Sequence, residues 1–372
     1  MEFRIDKETF LKALQKVQGI VEKKNTMPIL SNVLIEALED RLYITATDLE
    51  VGMRSSYPVN VVREGKITVS AKKIYEIIKE LSEEEIHFST KENDWVDLRS
   101  GKARFNIVGL SPDEFPYFPR VNEENFVHLS NVIISDMVEK TAYAMCNDET
   151  KYNLNGIFVK ALEDDGRKLL RMVATDGHRL CIAEREFTGS ITQELGKGVI
   201  FPKKGILELK KLTEDENEDI LLGFMDNSAV LKKENTVIVM RLVDGEFPDY
   251  TKVIPQNNTR IVTIRREQFL HSLKRMAILS SEKFKGIKFD IAAGGLEISS
   301  SNPELGDARE EIEVEYAGEP MTSRFNARYL IDVLVVLGEE SVELKLKDEM
   351  SPAIIKPGGS DDFMSVVMPM RL

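Results

Sequence analysis

Residues 170–178 read LRMVATDGH, and residues 42–50 read LYITATDLE. In both, apolar and polar residues alternate and then stop at a Thr-Asp pair, the pattern of a strand running into a polar turn. A weaker version, LEISSSNPE, occupies 296–304. Asp48, Asp176 and Asn302 thus fall at one position of a unit that recurs about every 127 residues. Self-similarity at a fixed period marks a chain built by repetition.

Other markers keep their order around each turn. An alternating strand and an amphipathic helix come first. After the turn a short strand leads into a second helix, as VSAKKIYEIIKEL (69–81), IFPKKGILELKKL (200–212) and RFNARYLIDVLVVL (324–337). A closing pair of strands follows, ending in ARFNIVGLSPDEFPYFP (103–119), VIVMRLVDGEFPDYTKVIP (237–255) and FMSVVMPMRL (363–372). Two copies leave through an EFP segment, where proline discourages further strand and marks a linker. The expected architecture is α+β, three tandem copies of a sheet-plus-two-helix unit, with boundaries 1–120, 121–255 and 256–372. In the first helix of copy one, Phe10, Leu11, Leu14 and Val17 recur at helical spacing, and Phe269, Leu270, Leu273 and Met276 do so in copy three.

At 372 residues with 42% hydrophobic content, the chain can fill more than one core. MEFRIDKETF is charged where a signal peptide would be apolar, and the longest apolar run, LIDVLVVL (330–337), is too short to span a bilayer. A soluble, cytoplasmic protein without membrane partners is expected. Cys146 and Cys181 form no CxxC pair and no metal-spaced cluster, so neither disulfides nor a metal nor a cofactor is expected. The net charge of −13 argues against tight phosphate binding. The basic residues are nevertheless clustered: four against Glu208 between Lys203 and Lys211, and six against two acidic ones between Arg265 and Lys285.

Asp176 and His178 invite a catalytic reading, because a carboxylate can orient an imidazole. They lack companions: there is no GxSxG turn, no metal-ligand spacing and no GxxxxGK[ST] loop. Asp48 occupies the matching turn without any histidine, which favours a structural role for the carboxylate. Sheets with one face covered by helices, repeated in tandem, form an arc, and two arcs meeting head to tail make a heterologous interface that closes into a ring when the rotation permits.

The stretches TMPILSN (26–32), TATDLE (45–50), LNGIFV (154–159), ATDGHRL (174–180), LVDGEFPDY (242–250), AILSSEKFKGI (277–287), NPELGDAREEIEV (302–314) and VVMPMRL (366–372) together resemble the bacterial DNA polymerase III beta subunit, the sliding clamps, over essentially the whole chain. The resemblance implies a DNA clamp fold. Two chains would form a pseudo-sixfold ring, helices inside and sheets outside, that encircles double-stranded DNA without sequence specificity. It implies a non-catalytic processivity factor that tethers the DNA polymerase III alpha subunit, is opened by an ATP-dependent clamp loader, and serves other polymerases and mismatch-repair proteins through short linear motifs. Carried over by position, the peptide pocket would comprise Leu154, Thr175, Gly177, His178, Arg179, Leu180, Pro248, Val253, Val366, Met368, Pro369, Met370, Arg371 and Leu372, with Arg179 and His178 adding polar contacts. The homodimer interface would set Lys73, Lys102, Arg104 and Phe105 against Ile278, Leu279, Glu304, Asp307, Glu310 and Glu311. Lys24 would touch the duplex, and the helix cations Lys12, Lys203, Lys204, Lys274 and Arg275 are DNA-contact candidates. This chain departs from the pattern in placing Arg309 within the acidic edge, and in the acidity of CNDETK (146–151). A peptide-binding adaptor that encircles nothing, and a hydrolase using Asp176 and His178, are the competing readings.

Overall fold

The computed structural model describes every residue except 22–26, 83, 124, 215–217, 281–284 and 371–372. Its seven helices among the described residues are α1 (Lys7–Val17), α2 (Ala71–Glu80), α3 (Asn131–Ala142), the short α4 (Gln193–Lys197), α5 (Lys203–Thr213), α6 (Arg266–Ile278) and α7 (Ala327–Val336). Local chemistry sets their starts. Asp6 accepts the Thr9 amide at 2.8 Å ahead of α1, and Asn326 accepts the Arg328 amide at 2.9 Å ahead of α7, each satisfying a donor the first helical turn leaves open. The apolar stripes read from spacing are the buried faces: Phe10, Leu14 and Val17 on α1 and Phe269, Leu270, Leu273 and Met276 on α6, with Leu11 at the margin. Phe3 stacks on Phe88 at 4.7 Å while Phe10 meets both rings edge-on, so α1 is clamped to its sheet by an aromatic cluster.

The same element series runs three times. Strand Glu2–Asp6, α1 and strands Asn32–Leu38, Arg41–Thr47 and Val51–Pro58 correspond to Val127–Leu129, α3 and strands Gly156–Asp164, Arg167–Thr175 and Arg179–Glu186. They correspond again to Arg260–Arg265, α6 and strands Gly286–Ala292, Gly295–Asn302 and Gly306–Glu313. A strand into the second helix (α2, α5, α7) comes next. The unit then closes with three strands and not two: Glu85–Thr90, Trp95–Ser100 and Ala103–Leu110 in copy one, Ile220–Met225, Ser228–Lys233 and Thr236–Arg241 in copy two, and Ser341–Leu346, Ala353–Pro357 and Phe363–Val367 in copy three.

Strand sharing organises the molecule. Thr236–Arg241, the last strand of copy two, pairs antiparallel with Val51–Pro58 of copy one and extends a thirteen-stranded sheet. Phe363–Val367, the last strand of copy three, likewise pairs with Arg179–Glu186 of copy two in an eight-stranded sheet. The chain accordingly forms two compact units, residues 1–131 with 204–242 and residues 132–203 with 243–372. A four-stranded sheet in the second unit ends at Gly306–Glu313, which among the described residues pairs only with Gly295–Asn302.

Candidate functional site: an apolar groove beside the 175–179 turn

The polar turn is built alike in the first two copies. Asp176 Oδ1 accepts the amides of His178 and Arg179 at 2.9 and 3.1 Å, and Asp48 Oδ1 accepts those of Glu50 and Val51 at 2.9 and 2.7 Å. Thr175 and Thr47 hydroxyls accept the amides of Gly177 and Leu49. In copy three Asn302 does the same work for Glu304 at 3.0 Å. The carboxylate is therefore a turn cap, which is why aspartate or asparagine holds that position. Residue 177 adopts φ +91°, a conformation glycine takes without strain.

On the copy-two turn this geometry forms one wall of a cavity of about 200 Å³. Its lining brings together Leu154, Thr175, Gly177, His178, Arg179, Leu180, Pro248, Val253, Val366 and Met368, ten of the positions expected from sequence, with Asp249 and Tyr250 added. Such a volume is below the roughly 300–1,000 Å³ of sites that enclose whole small ligands. It suits a few apolar side chains. The floor is core: Val173, Leu180, Ile182, Ile354 and Val366 pack together, backed by Phe158 stacked on Phe247 at 5.1 Å. Phe247 backs the floor from the EFP exit of copy two and its neighbour Pro248 lines the groove, so the linker doubles as groove wall. Tyr250 is fixed by Arg171, whose Nη1 donates to its hydroxyl at 3.0 Å. The signal for it was present in FPDY, two residues beyond Pro248.

The chain end behaves differently from expectation. The Met368 amide donates to the His178 carbonyl at 2.9 Å and holds the tail against the turn. Met370 leaves the groove. Its amide donates to the Arg324 carbonyl, and its side chain lies against Gly286 in a separate cavity of about 330 Å³. Strand alternation would place residues two apart on one side, so what separates the two methionines is the tail's two anchors, His178 for Met368 and Arg324 for Met370. Pro369 lies between them, half-buried. Arg371 and Leu372 fall outside the described residues.

Arg179 is likewise not a free polar contact. Its side chain is 8% exposed, and its donors turn inward, Nε to Asp176 at 3.1 Å, Nη1 to Asp332 at 2.6 Å and Nη2 to the Tyr143 carbonyl at 2.5 Å. Burial pulls its pKa down, but the Asp332 hydrogen bond and the Asp176 and Asp332 charges outweigh that and raise it. Behind it, Tyr143 donates or accepts at Cys181 Sγ (2.8 Å), and burial pushes the Cys181 thiol up to about 11. The Asp176–His178 dyad does not form. Both Asp176 oxygens are occupied by the turn and by Arg179, and the His178 ring lies parallel to Tyr329 at 6.4 Å. No group of three or more His, Cys, Asp or Glu fit to hold a metal occurs among the described residues, and no helix is long and apolar enough to cross a membrane.

The charged candidates divide. Lys12 and Lys274 are exposed. Lys204 is withdrawn, since it pairs with the buried Asp48 carboxylate and donates to the Ile20 carbonyl at 2.9 Å. Lys203 bonds Asn147, and Arg275 forms a two-pronged pair with Glu310, joining a residue expected on DNA to one expected at the dimer seam. Helix cations near a carboxylate pair with it, and spacing alone cannot show that neighbour. Lys24 lies outside the described residues. At the expected seam, Ile278 is 74% and Phe105 38% exposed, Leu279 caps the end of α6, and Lys102, Glu304, Asp307 and Glu311 are exposed. Lys73 pairs with Glu76 of its own helix, while Arg104 with Arg99 and Lys91 surrounds Asp97, whose carboxyl they hold far below its usual range.

Fold and groove together define the class: a threefold α+β repeat whose neighbouring copies share sheets, with a preformed apolar groove where the second and third copies meet. The particular family follows from comparison. Residues 1–119, 128–249 and 251–371 match the N-terminal, central and C-terminal domains of the DNA polymerase III beta subunit. The beta sliding clamps of Vibrio cholerae and Pseudomonas putida are 35% and 36% identical over 373 residues, covering 100% of each chain. Among solved structures, the DNA polymerase III subunit beta of Pseudomonas aeruginosa superposes with a TM-score of 0.92 at 34% identity, and a sliding clamp from Bartonella birtlesii bound to griselimycin with 0.95 at 33%, each covering 100% of both chains. The chain belongs to the DNA polymerase III beta subunit family, the beta sliding clamps, and has the three-domain clamp fold.

Proposed function

We propose that the chain is a non-catalytic processivity factor of the cytoplasm: two copies close head to tail into a ring that encircles duplex DNA, with repeats 1–120, 121–255 and 256–372 arranged six around the hole, helices inward. The observation that carries this is the pattern of strand sharing. The last strand of copy two completes copy one, and the last strand of copy three completes copy two. Two strands are left over. Among the described residues, the last strand of copy one pairs over Ala103–Val108 only with Trp95–Ser100, and Gly306–Glu313, the equivalent acceptor in copy three, has an open edge. An open edge is a template for another strand, and a second copy of this chain supplies each missing partner. Lys102 and Arg104 on one edge face Asp307, Glu310 and Glu311 on the other, with Phe105, Ile278 and Leu279 as the apolar contact; Lys73, Glu304 and Arg309 flank them. Exposed charge pairs add only about 0–1 kcal/mol each, so the strand pairing and apolar residues dominate.

A closed ring holds DNA by topology. Tight phosphate contacts would slow sliding, and each one steepens salt dependence, so a sparse inner lining that includes Lys12, Lys274 and Lys24 within an acidic protein is suited to the task. The groove takes short apolar segments of the DNA polymerase III alpha subunit, an ATP-dependent loader and repair proteins. Two or three buried anchors at roughly 1.5–3 kcal/mol each, less the cost of association, correspond to exchangeable binding near micromolar. Griselimycin, which the Bartonella relative binds, is proposed to occupy the same groove and serves as a probe. Retention on circular DNA that is lost on linearising it tests encirclement. Equal retention on both forms would refute the ring.

A further inference from the structure

Arg179 lines the groove, yet its guanidinium points away from it. The three donating nitrogens reach Asp176 on its own turn, the Tyr143 carbonyl just past α3, and Asp332 on α7. The guanidinium carbon also lies 4.7 Å over the Tyr329 ring and 5.3 Å over that of Tyr143. Tyr329 and Asp332 are three residues apart on α7 and therefore share one helical face. That face meets the turn twice, once through the Asp332 carboxylate on Arg179 and once through the Tyr329 ring beside His178.

We propose that Asp332 is a positioning residue of the groove: by anchoring Arg179 it holds the 176–179 turn in the shape that receives a ligand, without lining the groove itself. This rests on the reading of the groove as a recognition site. Asp332 is not among the lining residues, and it is 153 positions from Arg179 in the chain. Arg179 is bound to two carboxylates, and only one of them, Asp176, belongs to the turn. With Asp332 neutralised, the guanidinium keeps Asp176, which moves with the turn, together with the Tyr143 carbonyl and the Tyr329 ring, so the wall loses its charged tie to α7 and is held there more weakly. A preformed wall spares the ligand an ordering cost, and its loss shortens residence time.

The test uses the full chain and griselimycin, with surface plasmon resonance for affinity and dissociation rate, and amide hydrogen exchange over residues 174–180. Asp332→Asn is expected to weaken binding about tenfold, mainly through faster dissociation, and to speed exchange of the 176–179 amides. Asp332→Glu, which keeps the charge, should restore most of both. His178→Ala is the control on the groove itself. If the wild type fails to bind, or His178→Ala binds as the wild type does, the groove reading fails. If His178→Ala weakens binding while Asp332→Asn matches the wild type in dissociation rate and exchange, the positioning role is overturned. A lowered unfolding temperature in Asp332→Asn with unchanged dissociation and exchange overturns it as well, since packing alone would produce that pattern.

Discussion

Leu49 holds a left-handed backbone, φ +77°, at the place where the matching turn in copy two has Gly177. A residue with a Cβ is strained there by about 1–2 kcal/mol, and Leu49 is 56% exposed, so little packing offsets it. Leu49→Gly is expected to stabilise the protein by about 0.5–1 kcal/mol, once the extra flexibility of glycine in the unfolded chain is subtracted, read as a higher denaturant midpoint. An unchanged or lower midpoint would show that the strain is not there. Cys181 offers a second test. Its thiol is fully buried and its pKa is raised from 9.0 to about 11 by burial. The unfolded chain ionises first, so the stability from keeping the thiol neutral is whole below pH 9 and is lost as pH rises toward 11, by about 3 kcal/mol. Unfolding free energies of Cys181→Ala should fall less steeply over that interval; parallel curves would refute it.

At the scale of elements, the shared turn is used for two ends. In copy one Asp48 reaches Lys204 at the start of α5, and in copy two Asp176 reaches Arg179 beside the groove. Asp48 has a side chain 2% exposed and Lys204 one 22% exposed, so this pair ties α5 to the sheet of copy one in a largely dry setting. Removing one partner strands the other. Asp48→Ala and Lys204→Met are each expected to cost about 2–4 kcal/mol, with a coupling of about 1–3 kcal/mol in the double mutant. Additive losses on chemical denaturation would show that the pair is not an energetic link. Lys204→Met should leave the salt dependence of DNA retention unchanged, because that charge is already committed.

For the whole molecule, the two leftover edges make assembly the decisive property. Phe105 sits on the open edge of copy one with apolar surface that no described neighbour covers fully. Phe105→Asp puts a carboxylate against the acidic strand expected across the seam, and it should yield monomers in light scattering at micromolar concentration. Retention on circular DNA should fall with it. Griselimycin affinity should stay within about twofold, since the groove lies wholly within residues 154–368. A dimer that survives this change would place the interface elsewhere.

The repeat was readable in the chain because alternation, helical stripes and turn caps are local, and three copies in one order reinforce a weak signal. Most of the groove was readable for a related reason: its residues cluster in a few short stretches that carry the family resemblance. Other features depend on partners far apart in sequence. The commitment of Lys204 to Asp48, of Arg275 to Glu310 and of Arg179 to Asp332 arises only when folding brings an opposite charge within hydrogen-bond reach. The divergence of Met368 and Met370 follows from where the tail is pinned. Strand sharing between copies was equally hidden, because backbone amides and carbonyls are the same in every residue, and which edges meet is set by the packed arrangement of the sheets.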